Sequence, residues 1–140
     1  MRIDIPEKKK LVFEMSFPIR WGDMDAMGHV NNVTYFRYLE TVRIEWMYSL
    51  GMMPNPRGEG IVIINAFCNF LIQLEYPGDV LAKMYVANAG RSSFDKFITL
   101  ERTDQPGLIH ASGGATTVWI DSIAKKSLPL PDALRRLIEG

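Results

Sequence analysis

The sequence predicts an α+β domain in which one curved antiparallel sheet wraps a single long central helix. Three observations predict it. A run from about Val33 to Leu50 holds no Gly or Pro and carries apolar groups most of the way round its circumference. Four β-patterned segments then follow in succession, separated by turns such as Pro77-Gly78-Asp79. The chain has 140 residues with no repeat or linker, which suits one domain spanning 1–140.

Each element has its own justification. Leu11 to Ile19 alternates, with Leu11, Phe13, Met15, Phe17 and Ile19 on one face, so it reads as a half-buried strand. Arg20 to His29 has aspartates, glycines and no apolar period, and is a loop. Asn31 and Asn32 are good N-caps and Gly51 a good stop, which bounds the helix. Tyr35, Leu39, Val42, Trp46 and Leu50 form its stripe, widened by Phe36, Tyr38 and Met47, while Ile44 and Tyr48 lie opposite. Apolar groups so far round predict a helix covered on most sides. Gly51 to Gly60 is an exposed loop. In Ile61 to Leu74 the period-two face Val62, Ile64, Ala66, Cys68, Phe70, Ile72 and Leu74 predicts a strand long enough to need a bend or bulge. Strands over Val80–Ala89, Ser93–Arg102 and Ile109–Ile120 come next, then a short helix from Asp132 to Glu139 introduced by Pro129 and Pro131.

Composition excludes several classes. Sixteen basic and sixteen acidic residues cancel, leaving no overall field for nucleic acid or anionic lipid. No apolar run approaches the ~20 residues of a membrane helix, and the charged start lacks the apolar core of a secretory signal. One cysteine and two histidines cannot close a tetrahedral zinc site. Cys68, on an apolar strand face without a basic neighbour, reads as a buried inert thiol. The expectation is a cytoplasmic protein with no metal and no cofactor.

The chemistry concentrates in Arg20-Trp21-Gly22-Asp23-Met24-Asp25-Ala26-Met27-Gly28-His29-Val30-Asn31-Asn32. Its aspartates superficially match a calcium loop, but Met27 stands at the fifth ligand position and Thr34 where a bidentate Glu is needed. What remains is a pair of carboxylates before the amino end of a long helix. Such an end offers unpaired N–H groups and partial positive charge for a carbonyl oxygen or oxyanion. A carboxylate beside it can act as base or nucleophile. The residues alone also allow Asp23 and Asp25 simply to cap turns, which loop aspartates commonly do. They allow His29 to be either a structural hydrogen-bonding group or an acid/base group.

This segment resembles the hotdog-fold acyl-CoA thioesterases of the 4-hydroxybenzoyl-CoA thioesterase type. The resemblance continues through Tyr35-Phe36-Arg37-Tyr38-Leu39-Glu40 and Arg43, Tyr76-Pro77-Gly78-Asp79, Gly90-Arg91-Ser92-Ser93-Phe94, Val118-Trp119-Ile120-Asp121 and Leu128-Pro129-Leu130-Pro131. It implies the hotdog fold and hydrolysis of an acyl-CoA to a free acid and coenzyme A. It places the catalytic carboxylate at Asp25, the carbonyl-polarising N–H groups at Asn31 and Asn32, and a bracing role at Asp23, with His29 auxiliary. Arg91, Ser92 and Ser93 would contact coenzyme A, where a guanidinium suits phosphate; a solvated turn arginine is the alternative. The family assembles as homodimers or homotetramers with shared sites, which implies an acyl pocket lined across a subunit boundary by Asn65, Phe67 and Asn69. Gly113 and Gly114 mark either a bulge or the passage of a ligand. Three other functions stay open: hydrolysis of an acyl carrier protein thioester, a hotdog hydratase or dehydratase using Asp25 with His29, and a non-catalytic acyl-thioester binder.

Overall fold

The computed structural model describes residues 1–140. Strand β1 (Lys10–Pro18) is followed by a 3-10 turn (Trp21–Asp23) and helix α1 (Asn32–Ser49). Strands β2 (Glu59–Phe70), β3 (Asp79–Ala87), β4 (Ser93–Arg102), β5 (Ile109–Asp121) and β6 (Lys126–Ser127) precede helix α2 (Asp132–Glu139). The strands form one antiparallel sheet in the order β1-β3-β4-β5-β2, with β6 added to β5. The expected α+β architecture, a curved sheet about one long helix, is present. The pair β6 was not anticipated, since two residues carry no readable period.

Alternation decides which side of the sheet meets α1. Phe94, Ile98 and Leu100 on β4, and Ala111 and Trp119 on β5, belong to one core with Tyr35, Leu39, Val42 and Trp46 of the helix. Gly113 is the close-contact point. A Cβ there would stand 2.6 Å from Leu39 Cδ1 and 2.9 Å from the Phe67 carbonyl oxygen. On the other side of the sheet, a Cβ at Gly114 would meet the Phe67 and Phe97 rings. Both glycines stay in register with β2 and β4, so they make room for neighbours and mark no bulge.

The bulge lies in β2, between Ile63 and Asn65. It reverses the alternation, so the continuous face expected from Val62 to Leu74 is interrupted. Val62 and Ile64 are exposed, whereas Ile61 and Cys68 pack on the core. Strand pairing ends at Phe70 because the Leu71 and Ile72 N–H groups both donate to the His110 carbonyl.

Helix α1 is covered on one side only, which corrects the expectation of a helix enclosed on most sides. Tyr38 and Met47 are buried, but Val33, Phe36, Ile44, Tyr48 and Leu50 are exposed. The predicted stripe was wide because two different surfaces are apolar. One meets this chain's sheet; the other, beside the edge strand β2, is open.

Candidate active site

The loop before α1 is pinned at both ends to the β2–β3 connection. Ile19 N–H donates to the Gly78 carbonyl at 2.8 Å, and Val30 N–H to that of Leu74 at 2.7 Å. Between them a bridge joins Met24 to Val30, and Asp25 N–H donates to the His29 carbonyl at 3.0 Å. Gly28, at φ 82°, allows the tight return. These bonds hold Asp23 and Asp25 in different surroundings.

Asp23 is the anchor of the loop. Its Oδ2 accepts from the Tyr38 hydroxyl at 2.6 Å and from Arg20 N–H at 3.0 Å, while its carbonyl accepts from Asn31 N–H at 3.0 Å. Burial, then the hydrogen bond to Asp23, raise the Tyr38 phenol well above its ordinary range, so it stays a proton donor. Asp25 is half-buried and less committed. Its Oδ1 accepts from Met27 N–H at 2.8 Å, an Asx turn that fixes the side chain and leaves Oδ2 without a protein donor.

The helix start resolves the two asparagines. Asn31 is the N-cap: its Oδ1 accepts from Val33 N–H at 2.9 Å and its carbonyl from Thr34 N–H. Its own N–H is taken by Asp23. The Asn32 N–H, in contrast, has no acceptor in the chain. An open donor therefore stands at the positive end of α1, seven residues after Asp25. His29 is half-buried, and only its main chain bonds within the loop.

The remaining sequence-derived residues lie elsewhere. Arg91 is exposed, and its Nη1 donates to Ser92 Oγ at 2.9 Å. The Gly90–Ser93 connection is braced by Arg135 of α2, whose Nη2 donates to the carbonyls of Gly90 (2.7 Å) and Arg91 (3.1 Å). Asn65, Phe67 and Asn69 face the side of the sheet away from α1. There Asn65 Oδ1 accepts from Thr116 N–H, Phe67 packs on Phe97, and Asn69 clasps the main chain of Ile3. Within one chain they do not meet Asp25. Asp25 lines none of five cavities on the chain, although Asp23 lines one of them with Arg20, Arg37 and Tyr38.

Burial pushes the Cys68 thiol up to about 11, which fits an inert side chain. No group of His, Cys, Asp and Glu is placed to hold a metal ion, and no helix is long and apolar enough to cross a membrane. Sequence reading passed over Lys96, a buried cation on β4. The signal was available, since Phe94, Lys96, Ile98 and Leu100 share one face by period two.

Comparison with known proteins adds a lineage to this geometry. The model of the thioesterase-like superfamily matches residues 19–138. The solved PA2801 protein of Pseudomonas aeruginosa, a proposed thioesterase, is 33% identical, with a TM-score of 0.87 over 91% of this chain and 98% of that one. A proposed acyl-CoA thioesterase of Xanthomonas campestris is 31% identical, with a TM-score of 0.72 over 81% of this chain and 96% of its own. The acyl-acyl carrier protein thioesterase ATL3 of Arabidopsis thaliana chloroplasts is 30% identical over 87% of this chain and 65% of its own length. Against the curated relatives it matches, the chain spans between 51% and 65% of their length.

Proposed function

We propose, for a chain that belongs to the thioesterase-like superfamily, that it hydrolyses an acyl-CoA thioester with Asp25 as base or nucleophile. The observation that carries this reading is the Asp25 carboxylate, fixed through one oxygen, on a loop whose main chain folds back to an α1 start with an unused Asn32 N–H. Asn32 N–H would polarise the thioester carbonyl, and Asn31 would act only by capping the helix. Acting as base, Asp25 takes a proton from water as the water oxygen bonds the carbonyl carbon. The C–S bond then breaks, and the proton passes to the leaving sulfur. Acting as nucleophile, Asp25 expels the thiolate and water releases the acid from the acyl-enzyme. A thioester is electrophilic enough for one carboxylate and an oriented donor to suffice. Asp23 would keep the loop in place, and Arg91, Ser92 and Ser93 would meet the coenzyme A phosphates.

The same reading assigns the open face of α1 and the edge strand β2 to a second copy of the chain. Val33, Phe36, Ile63, Ile64 and Phe70 are exposed around that face, and an uncovered apolar edge strand invites pairing. A homodimer or larger assembly would supply the cleft wall that Asp25 lacks in one chain. The likeness to ATL3 favours a second carrier, acyl carrier protein. Thiol release from matched acyl-CoA and acyl carrier protein substrates tests both. Turnover of acyl-CoA with a specificity constant at least ~10-fold higher supports the proposal. Preference for the protein carrier replaces the carrier, and absence of release from either overturns hydrolysis.

A further inference from the structure

A cavity of about 500 Å³ lies toward the far end of α1, between Arg43, Ile44 and Met47 of the helix and Ile61 and Ile63 of β2. Lys96 stands in its wall. This side chain is 0% exposed, and its Nζ has no hydrogen-bond partner. The one other buried side-chain polar atom without a partner is Thr117 Oγ1. Thr117 lies opposite Ile63 on one side and Phe94 on the other, on the same face as Lys96. Both unsatisfied groups therefore belong to one corner of the molecule.

One carboxylate, Glu40, lines the same cavity and acts on Arg43, but Lys96 itself has no acceptor. Trp46 and Phe94 present their rings to Lys96 Nζ at 5.3 and 5.4 Å, which supports an ammonium without giving it an acceptor. Arg43 is half-buried and takes part in no ion pair, because Glu40, one turn away, is bonded to Arg37. Burial, and next the Arg43 charge, push the Lys96 ammonium down to about 7. Two cations facing one carboxylate that is already bonded to Arg37 leave the buried Lys96 ammonium uncompensated until a further anion arrives.

The helix shows which anion can reach them. Asn32, Phe36, Glu40, Arg43 and Met47 recur at three- and four-residue spacing along one side of α1. An acyl group held by its carbonyl at Asn32 and laid along that side reaches Arg43 after about 16 Å, at 1.5 Å per residue. A carboxylate at its tip would meet the Arg43 guanidinium fork, with the buried Lys96 ammonium behind the apolar wall as a second positive charge. We propose that this cavity receives the distal carboxylate of the acyl group, with Lys96 and Arg43 as its counter-ions. The chain would then select ω-carboxyacyl thioesters over plain acyl thioesters of equal length. The inference rests on the thioesterase reading.

Thiol release from decanoyl-CoA and 9-carboxynonanoyl-CoA, with sebacate binding followed by calorimetry, separates the two. The parent protein is expected to favour the carboxylated substrate at least ~10-fold in kcat/KM. Lys96→Met should remove that preference and sebacate binding, with decanoyl-CoA turnover kept within ~3-fold. Should Lys96→Met fail to fold by circular dichroism, Arg43→Gln is expected to show the same loss. Equal turnover of the two substrates without sebacate binding overturns the carboxylate site and leaves hydrolysis standing. Sebacate binding lost in Lys96→Met, with no thioester cleaved, keeps the site and discards the hydrolase. A Lys96→Met protein that changes only self-association, by sedimentation, overturns the proposal by assigning the anion to a second copy.

Discussion

Removing the Tyr38 hydroxyl should loosen the loop that carries both aspartates. Tyr38 is 7% exposed, and its hydroxyl lies 2.6 Å from Asp23 Oδ2. A hydrogen bond to a charged acceptor is worth about 1.5–3 kcal/mol, and Arg20 N–H still serves Asp23 in the variant, so Tyr38→Phe should cost about 2 kcal/mol. For a domain of this length that is a fall in Tm of roughly 6–10 °C. The effect has a pH signature. The phenol is raised in the folded state above its unfolded value of 10.0, so the folded chain retains a proton that the unfolded chain loses. Stability from this group is complete below pH ~10 and declines above it by about 1.4 kcal/mol per pH unit. Tyr38→Phe lacks that decline. Denaturant melts at pH 7 and from pH 9.5 to 11.5 should show two curves converging as pH rises. A variant melting within ~1 °C of the parent at pH 7, or curves parallel through pH 11, would refute the anchoring role of Asp23.

Four further outcomes follow from the same contacts. Gly113→Ala should destabilise by about 1–3 kcal/mol in denaturant melts, because its methyl would press on Leu39 and the Phe67 carbonyl. Cys68 should react with iodoacetamide at pH 8 about 100-fold more slowly in the folded than in the unfolded chain, since its thiol is pushed up to about 11. Arg91→Ala should raise KM for acyl-CoA several-fold with kcat and Tm nearly unchanged, as its side chain is exposed and meets only Ser92 and Ser127. Arg135→Ala should raise KM similarly but also lower Tm, because it removes the donor to the Gly90 carbonyl and one of two donors to that of Arg91.

Local signals were the legible part of this fold. The cap at Asn31 and the stop at Gly51 placed α1 within one residue, at Asn32–Ser49. Turn residues and period two gave β4 and α2 with their observed ends. The bulge was foreseen from strand length but not its place, and one inserted residue turned Val62 and Ile64 outward. The apolar circumference of α1 was read as enclosure because a sequence does not say whether a face is covered by its own sheet or left open. In the site, the chain order of Asp25 and the helix start was visible at once. The division of labour between Asn31 and Asn32 was not, because it depends on the Asp23 carbonyl reaching back across the loop to Asn31. Lys96 escaped notice because charge at an inward strand position is commonly read as an exception, and its meaning depends on the absence of any partner.

The most direct measurement is thiol release by Asp25→Asn. An asparagine keeps the oxygen that accepts from Met27 N–H, so loop, melting temperature and assembly should be preserved. Turnover of the best acyl-CoA substrate is expected to fall by at least ~100-fold, the scale of a lost base. Hydrolysis at the parent rate by a folded Asp25→Asn protein would contradict the account.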